Sequence, residues 1–393
     1  MSQQHPHQQS DTAAASATDC DVAICGAGPV GMTLAALLIR HGVAARRIVL
    51  VDAKTVEQAA ADPRSIALSY GSRQILESVG AWPIACDPIE QIHVSRRGHF
   101  GRTLIDRSDY RLPALGYVSR YGTLVAALDH VIRRTGIATL RPARITRHDE
   151  RQDAVALHLS EGQTLTAGIV VQAEGGVFGV QEARLVQRDY RQTAIIAHVE
   201  ASAPLPQRAF ERFTDEGPIA LLPQEGGYAL VWCMRPDKAL QTMALHDPMF
   251  LAFLQRAFGD RVGRFLRTGP RHAYPLGLNA GPVASNRIVA IGNAAQTLHP
   301  VAGQGLNLGL RDAAVLARLL RREMSASTLQ DFNAQRRTDR QLTIQLTDSL
   351  ARLFSSTPDH SFPQTLLGLS LALTDLTSPL KRALAGQMMF GSR

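Results

Sequence analysis

Residues 26–31 read Gly-Ala-Gly-Pro-Val-Gly, and this spacing of three glycines is typical of a loop that binds a pyrophosphate. Gly26 permits a tight turn, Gly28 lets the backbone approach a phosphate, and Gly31 lets a helix pack closely on a sheet. A helix that begins here directs free N–H groups and the positive end of its dipole toward the phosphate. The alternative is a glycine turn with a purely structural role. The candidate binding residues of this loop are Gly26, Ala27, Gly28, Pro29, Val30 and Gly31.

The segments around this loop predict the unit that positions it. Residues 21–25 form a short apolar strand, residues 32–41 a helix, and residues 47–52 a second buried strand. Asp52 ends the second strand, where its carboxylate can accept hydrogen bonds from a ribose. The unit therefore predicts a dinucleotide site, but it does not distinguish FAD from NAD.

A second glycine-rich junction lies far along the chain. Residues 286–292 predict another buried strand, and Gly303, Gly305 and Gly309 surround the start of a helix that runs to about residue 322. With a flavin, the N–H groups of this helix start would face the N1/C2=O edge, where negative charge gathers on reduction. The alternative is a helix start without a ligand, but two such junctions in one chain favour a ligand.

The segment 292–312 resembles the C-terminal FAD motif of flavin monooxygenases related to para-hydroxybenzoate hydroxylase, and more narrowly that of the ubiquinone-biosynthesis hydroxylases. Further segments that resemble this subfamily are 64–76, 92–101, 117–124 and 210–223. Residues 292–300 read Gly-Asn-Ala-Ala-Gln-Thr-Leu-His-Pro, which resembles the 2-polyprenyl-6-methoxyphenol hydroxylase branch. The resemblance implies an α/β fold with a Rossmann-like FAD-binding domain, an inserted antiparallel β-sheet substrate domain and C-terminal helices.

The resemblance also implies the cofactors and the residues that hold them. FAD would be bound, NADH or NADPH would reduce it transiently, and O2 would supply the oxygen added to a polyprenylated phenol. The loop 26–31 and Asp52 would hold the ADP half, with Arg64 and Arg120 near the cofactor; a structural ion pair is the alternative for each arginine. The residues implied for the pyrophosphate, ribityl chain and isoalloxazine are Gly292, Asn293, Pro300, Gly303, Gly305, Leu306 and Asn307.

His299 is the candidate catalytic residue, because it lies beside the flavin loop and could take a phenol proton or orient the ring. The alternative is a loop histidine that only hydrogen-bonds the backbone. On the substrate side, the alternating segments 89–96, 103–107, 191–200 and 219–234 predict antiparallel strands. The candidate pocket residues on these and neighbouring strands are Phe213, Leu222, Pro223 and Trp232.

One segment departs from the family pattern. An Asp-Gly pair usually follows a mid-chain strand, but here Glu174-Gly-Gly follows the strand at 169–173. Because a glutamate is one methylene longer, we expect this change to affect the nicotinamide step more than FAD binding. It also supports one alternative to the main hypothesis, a non-catalytic flavoprotein subunit of a ubiquinone-synthesis complex. A sibling hydroxylase that acts at another ring carbon or on another lipophilic phenol is the second alternative.

The predicted domains follow from these segments. We expect a disordered tail at 1–18 and a discontinuous FAD-binding domain at 19–85, 117–182 and 276–345. The substrate domain would comprise 86–116 and 183–275, and a helical region would follow at 346–393.

Composition excludes several classes of protein. The 393 residues are 45% apolar and 19% charged, which is typical of a globular protein. The four cysteines form no CxxC pair, which favours reduced thiols over disulfides or a metal site. The net charge of +8 is spread over scattered arginines, which does not favour nucleic-acid binding.

The expected location is the cytoplasm, because residues 1–18 lack the apolar core of a signal peptide. The apolar run at 366–376 is too short to span a bilayer. We expect it to pack on the FAD-binding domain, and a peripheral contact with the inner face of the membrane is the alternative.

Overall fold

Three β-sheets and the helices packed on them make up the residues that the computed structural model describes, which are 18–97, 102–175, 186–280, 284–299 and 303–355. The strands are β1 (Cys20–Cys25), β2 (Ile48–Val51), β3 (Ser65–Ser69), β4 (Asp87–Ile89), β5 (Gln91–Arg96), β6 (Arg102–Asp106), β7 (Gly116–Arg120), β8 (Ala138–Leu140), β9 (Ile145–Glu150), β10 (Val155–Leu159), β11 (Thr164–Gln172), β12 (Val186–Ala201), β13 (Arg208–Thr214), β14 (Gly217–Gln224), β15 (Gly227–Met234), β16 (Phe265–Thr268), β17 (His272–Ala280), β18 (Ile288–Ala290) and β19 (Gln296–Thr297). The helices are α1 (Pro29–Arg40), α2 (Val56–Ala60), α3 (Tyr70–Ser78), α4 (Tyr121–Arg133), α5 (Pro236–Met243), α6 (Asp247–Phe258), α7 (Gln304–Leu320) and α8 (Ala326–Ser355).

The first sheet carries the nucleotide-binding unit. Its strand order is β8-β2-β1-β11-β10-β9, with β18 beside β11. β1 pairs in parallel with β2 and β11, and β18 also runs parallel to β11. The apolar sequence of β2 is buried throughout, as expected for a parallel strand that is covered on both faces. α1, α4 and α7 pack into one core with this sheet, which confirms the predicted Rossmann-like α/β unit.

The second sheet is mostly antiparallel and covers the region where a substrate is expected. Its order is β19-β17-β12-β15-β14-β13-β5-β6, with β16 beside β12. Its outer face packs on α6 through a core that includes Phe210, Trp232 and Phe258. We call the opposite face the inner face. Its side chains contact the third sheet and the loop before α7.

The third sheet, β3-β7-β4, lies between the other two. Ile89 of β4 and Val118 of β7 pack against Ala209 and Ala229 on the inner face of the second sheet. β4 comes from the segment 86–116, which was predicted to belong to the substrate domain, yet it pairs with β7. The exact domain division stays a prediction.

The parts of the chain outside the described residues include most of the predicted tail and residues 356–393 of the predicted helical region. Among the helices that are described, none combines the length and the apolar character needed to cross a membrane.

Candidate active site

The first glycine loop is held so tightly that only glycine fits at two of its positions. Gly26 has a φ of 109°, and a Cβ there would come within 2.6 Å of the backbone carbon of Ala173. A Cβ on Gly31 would lie 1.9 Å from the carbonyl oxygen of Gly26. The loop is therefore pressed between β11 and α1, as the spacing of its glycines predicts.

The start of α1 presents uncapped backbone donors. Gly28 is the N-cap residue and makes no side-chain capping hydrogen bond, and Pro29 occupies the first helical turn. A Cβ on Gly28 would lie 3.2 Å from the hydroxyl of Tyr121, so glycine keeps the approach to this helix end clear. The N–H groups of the first turn and the helix dipole together suit the negative charge of a phosphate.

Asp52 organises the loop from the end of β2. Its Oδ2 accepts a hydrogen bond from the backbone N–H of Ala27 at 2.6 Å, and its Oδ1 accepts one from Lys54 N–H at 2.7 Å. Each carboxylate oxygen has a second lone pair, so both can still accept a hydrogen bond from a ribose hydroxyl. The ribose contact of Asp52 stays a prediction.

Arg64 lies beside this loop. Its Nη2 pairs with Oδ2 of Asp62 at 2.7 Å, and its guanidinium lies 5.1 Å from the ring centre of Tyr121. Burial would lower the pKa of Arg64, but the hydrogen bond and charge of Asp62 raise it. Sequence reasoning missed Asp62 and Tyr121, although each lies within two residues of a predicted arginine.

Arg120 lies at the end of β7 and forms an ion pair. Its Nε donates to Oε1 of Glu225 at 2.9 Å, in the turn between β14 and β15. The hydrogen bond with Glu225 raises the pKa of Arg120. Arg120 therefore links the third sheet to the second, and its place near the cofactor stays a prediction.

The second glycine junction packs directly against the first. Gly292 has a φ of 59°, and a Cβ there would approach Cγ2 of Val30 to 3.3 Å. A Cβ on Gly309 would come within 2.7 Å of the same methyl carbon. The starts of α1 and α7 are thus brought side by side by residues that are far apart in sequence.

The first turn of α7 is fixed by Asn307. Its Oδ1 accepts hydrogen bonds from Ser69 N–H at 2.8 Å and Ser72 Oγ at 2.7 Å, while its Nδ2 donates to the Ala67 carbonyl at 3.0 Å. Gly303 caps this helix in the left-handed conformation, with a φ of 59°. The Asn307 side chain is therefore committed to the protein, and only its backbone remains available to a flavin.

The other predicted residues of this junction are placed as follows. Asn293 lies beside the first turn of α7, with its Oδ1 3.7 Å from where a Cβ on Gly305 would be. Leu306 is partly buried against the core of the first sheet. Pro300 lies outside the described residues.

A buried ionic network supports the junction from behind. Asp312 is fully buried and accepts hydrogen bonds from Arg336 Nε at 2.8 Å, Arg340 Nη2 at 2.9 Å and Gly292 N–H at 3.3 Å. Burial would raise the pKa of Asp312, but the charges of Arg340 and Arg336 lower it. The network ties α8 to the backbone of Gly292 and so fixes the turn after β18.

His299 lies between the second junction and the inner face of the second sheet. It is buried, and its Nε2 lies 2.8 Å from Oε1 of Gln192 on β12. Tyr190 meets its ring edge-on, with ring centres 5.2 Å apart. Burial lowers the pKa of His299 to about 4, so the imidazole is neutral near pH 7 and is a weak base. Its catalytic role stays a prediction.

The four predicted pocket residues divide between the two faces of the second sheet. Leu222 lies on the inner face, packed with Ala209 and Ala229. Trp232 lies on the outer face, 4.9 Å from the ring of Phe253 in α6. Since neighbouring residues of a strand point to opposite faces, Phe213 falls on the inner face and Pro223 on the outer one. The structure therefore does not bring Trp232 and Pro223 to the predicted pocket.

Glu174 lies where β11 ends, beside the glycine loop. Partial desolvation and then the negative charge of Asp52 raise its pKa, while Arg144 acts in the opposite direction. Its longer side chain thus places a second carboxylate near Asp52 at this edge of the sheet.

These features fit FAD. The glycine loop offers the uncapped backbone donors at the start of α1, and Gly28 leaves the approach to them free of a side chain. The α7 start lies next to it and has no side-chain cap. A ligand with a phosphate-bearing half and a second polar ring system therefore matches both junctions at once.

Comparisons with known proteins also indicate an FAD-binding protein. The sequence matches the protein family described as FAD binding domain over residues 19–346. Ubiquinone hydroxylase UbiL of Rhodospirillum rubrum is 35% identical, over 92% of this chain and 87% of its own length. The 3-demethoxyubiquinol 3-hydroxylase of Escherichia coli is 28% identical, over 76% of this chain and 79% of its own length.

The fold is shared with the solved structure of p-nitrophenol 4-monooxygenase PnpA from Pseudomonas putida, with a TM-score of 0.74. The two sequences are 15% identical, and the match covers 96% of this chain and 99% of the other. The family match and the similarity to UbiL each extend over most of the sequence. The chain therefore belongs to the FAD-binding domain family, among the FAD-dependent aromatic monooxygenases that include the ubiquinone hydroxylases.

Proposed function

We propose that this protein hydroxylates the aromatic ring of a polyprenylated phenol, 2-polyprenyl-6-methoxyphenol, in ubiquinone biosynthesis. The observation that carries the proposal is its similarity to Ubiquinone hydroxylase UbiL, which extends over 92% of the chain. The residues 292–300, which resemble the 2-polyprenyl-6-methoxyphenol hydroxylase branch, support the choice of ring position.

The two glycine junctions support a division of the cofactor into two halves, each held by one junction. The loop 26–31 and Asp52 would hold the ADP half, and the turn at Gly292 with the backbone from Gly303 to Asn307 would hold the flavin half. The bound cofactor would supply the transfer of electrons from NADH or NADPH to O2. The protein then has to bind the phenol close to the flavin ring and keep water out.

The inner face of the second sheet suits the phenol. Leu222, Ala220 and Val231 provide apolar side chains there, and each remains partly exposed. His299 borders this face, because its hydrogen-bond partner Gln192 lies on β12. A neutral imidazole at this place can orient a ring hydroxyl by hydrogen bonding.

The test is product analysis with the purified FAD-loaded protein. We would incubate it with 2-geranyl-6-methoxyphenol, O2 and either NADH or NADPH, and analyse the products by mass spectrometry. We expect a product that is heavier by one oxygen atom and that depends on the reductant. Oxidation of the reductant without any oxygenated product, for this and other prenylated phenols, would contradict the proposal.

A sibling reaction is the second candidate, with hydroxylation at another ring carbon. The 28% identity to 3-demethoxyubiquinol 3-hydroxylase favours it, since that relative's name refers to a different ring position. Expression in bacterial strains that each lack one ring hydroxylase would separate the two candidates. The strain whose ubiquinone synthesis is restored identifies the carbon.

We also propose that the protein works at the membrane surface, where a polyprenylated substrate resides. The support is the apolar run at 366–376, which lies outside the described residues. Flotation with vesicles of phosphatidylethanolamine and phosphatidylglycerol tests the contact. Recovery of the protein only in the soluble fraction would contradict it. Membership of a ubiquinone-synthesis complex is a further expectation, to be tested by co-purification.

A further inference from the structure

We propose that Glu211 is the catalytic base that takes the proton from the hydroxyl group of the phenol substrate. This inference rests on the proposed function, because it assigns a residue to the hydroxylation of a phenol. Glu211 lies in the middle of β13, and the sequence analysis did not single it out.

The neighbours of Glu211 show which way its side chain points. Phe210 faces the outer side of the second sheet, where its ring centre lies 5.6 Å from that of Phe258 in α6. Since successive side chains of a strand alternate between faces, Glu211 projects from the inner face. It therefore points toward the side of the sheet that meets the third sheet and the loop before α7.

Glu211 belongs to a row of partly exposed residues that crosses five strands. The register places Val94 on one side of Glu211 and Ala220 on the other. The row continues through Val231 of β15 to Ile196 of β12. All five residues are partly exposed, and the other four are apolar. We call this row the inner strip.

The inner strip lies between two closed contacts. On one side, Ala209 and Ala229 are buried against Val118 of the third sheet. On the other side, Ala194 and Cys233 are buried in a cluster with Leu298, next to His299. The strip is thus a partly exposed apolar surface with one carboxylate in it, and we infer that an aromatic ring that bears a hydroxyl group lies against it.

The carboxylate has no partner of its own within the described part of the chain, where neither a hydrogen bond nor an ion pair reaches Glu211. Burial raises the pKa of Glu211 to about 8. Other titratable groups on the same face of the neighbouring strands include Arg96, Cys233 and Tyr274, and His299 borders this face. The third sheet, which meets this face, carries Asp87 and Arg120, and both contact Glu225. The charge of Glu211 in turn helps to raise the pKa of the Cys233 thiol, which follows mainly from burial.

The chemistry follows from these surroundings. When the substrate binds, its O–H bond breaks, the proton moves to an oxygen of Glu211, and the electron pair stays on the phenol oxygen. The resulting negative charge spreads into the ring and makes its ortho and para carbons more nucleophilic. A phenol has a pKa of about 10, so a carboxylate with a raised pKa is a better matched acceptor than an ordinary glutamate.

Glu211 is better suited to this step than His299. Burial lowers the pKa of the imidazole and raises that of the carboxyl, so the same desolvation weakens one base and strengthens the other. Glu211 is therefore the stronger base of the two.

The experiment compares the FAD-loaded wild type with Glu211→Gln and Glu211→Asp, using 2-geranyl-6-methoxyphenol. Product formation in the wild type should rise with pH through about 8, as Glu211 loses its proton. In Glu211→Gln we expect a loss on the order of 100-fold at pH 8 and no such rise. Glu211→Asp should recover part of the rate. Reduction of FAD by NADH or NADPH should not change.

A binding measurement gives a readout that does not depend on turnover. Quenching of flavin fluorescence reports the Kd of the phenol and of its methyl ether, which has no proton to give. The wild type should bind the phenol more tightly as the pH rises through about 8, whereas Glu211→Gln should not. Binding of the ether should be independent of pH in both proteins.

Glu200→Gln is the matched control, because Glu200 lies on β12 of the same sheet and is paired with Arg267 at 3.7 Å. It should behave like the wild type in both assays. Equal product formation and equal pH dependence in the wild type and Glu211→Gln would overturn the assignment of Glu211. If the wild type forms no hydroxylated product, the proposed function itself fails, and the role of Glu211 fails with it.

Discussion

Val30 and Gly309 are in direct contact, although α1 and α7 lie near opposite ends of the described chain. A Cβ on Gly309 would come within 2.7 Å of Cγ2 of Val30 and within 3.0 Å of the Cα of Gly292. This contact holds the two glycine junctions together, and the FAD site that we infer depends on it.

Replacing Gly309 tests this contact. We expect Gly309→Ala to lower the free energy of unfolding by about 1–3 kcal/mol, because the new methyl group overlaps Val30. Urea unfolding of the FAD-free protein measures the effect. Gly305→Ala is the control for stability, since its Cβ would meet its nearest neighbour, Asn293 Oδ1, only at 3.7 Å.

The double variant Gly309→Ala/Val30→Ala should recover much of the lost stability, because the smaller side chain at position 30 removes the overlap. If Gly309→Ala is as stable as Gly305→Ala, the two helix starts are not packed as described.

Asp312 should be indispensable to the folded state. In Asp312→Asn, Arg340 loses its buried counter-charge and Arg336 keeps only that of Asp339, so we expect a loss of about 3–5 kcal/mol in unfolding free energy. Asp149→Asn, which removes an exposed partner of Arg147, should cost less than about 1 kcal/mol.

The lowered pKa of Asp312 also predicts how stability depends on pH. The ionised carboxylate stabilises the fold at pH values above the ordinary aspartate pKa, and this contribution is lost as the pH falls through the lower pKa of the folded state. If the wild type and Asp312→Asn unfold at the same acidic pH, Asp312 does not stabilise the fold through this network.

The lowered pKa of His299 predicts that the folded protein loses stability in mild acid. Its pKa is lowered from 6.5 to about 4, so below pH 6.5 the unfolded chain takes up a proton that the folded protein does not. Stability should therefore fall between pH 6.5 and about 4, by a total of about 3 kcal/mol from this residue.

Denaturant titrations of the wild type and His299→Gln at several pH values check this. The variant should show a weaker dependence on pH over that range. An identical pH dependence would mean that folding does not lower the pKa of His299.

Glu174 should weaken the binding of FAD through its charge. Glu174 lies near Asp52 and a pyrophosphate would add more negative charge there, so Glu174→Gln should tighten FAD binding about two- to fivefold at pH 8 and low salt. The effect should shrink at high salt, because mobile ions screen it. An unchanged Kd at low salt would show that Glu174 does not face the phosphates.

The sequence predicts best what local spacing controls. The loop at 26–31 requires glycine at positions 26 and 31, because backbone atoms occupy the space where a side chain would be. The spacing of the glycines in the sequence indicates this requirement. The Rossmann-like unit and the antiparallel sheet were predicted for the same reason, since their strands and helices have regular apolar patterns.

The sequence predicts poorly what long-range pairing controls. Arg120 meets Glu225 and His299 meets Gln192 only after the sheets are assembled, and no local pattern indicates either pair. Faces are equally hard to assign, because a shift of one residue along a strand moves a side chain to the other side. For this reason Trp232 was predicted to line the pocket although it lies against α6, and Glu211 was not predicted to have a role.

The most direct measurement is the titration of purified, folded protein with FAD, followed by absorption spectroscopy. We predict one bound FAD per chain with the yellow spectrum of a flavoprotein, and weaker binding in Gly309→Ala. A folded protein that stays colourless and takes up no FAD at micromolar concentrations would contradict a flavin site formed by the two glycine junctions.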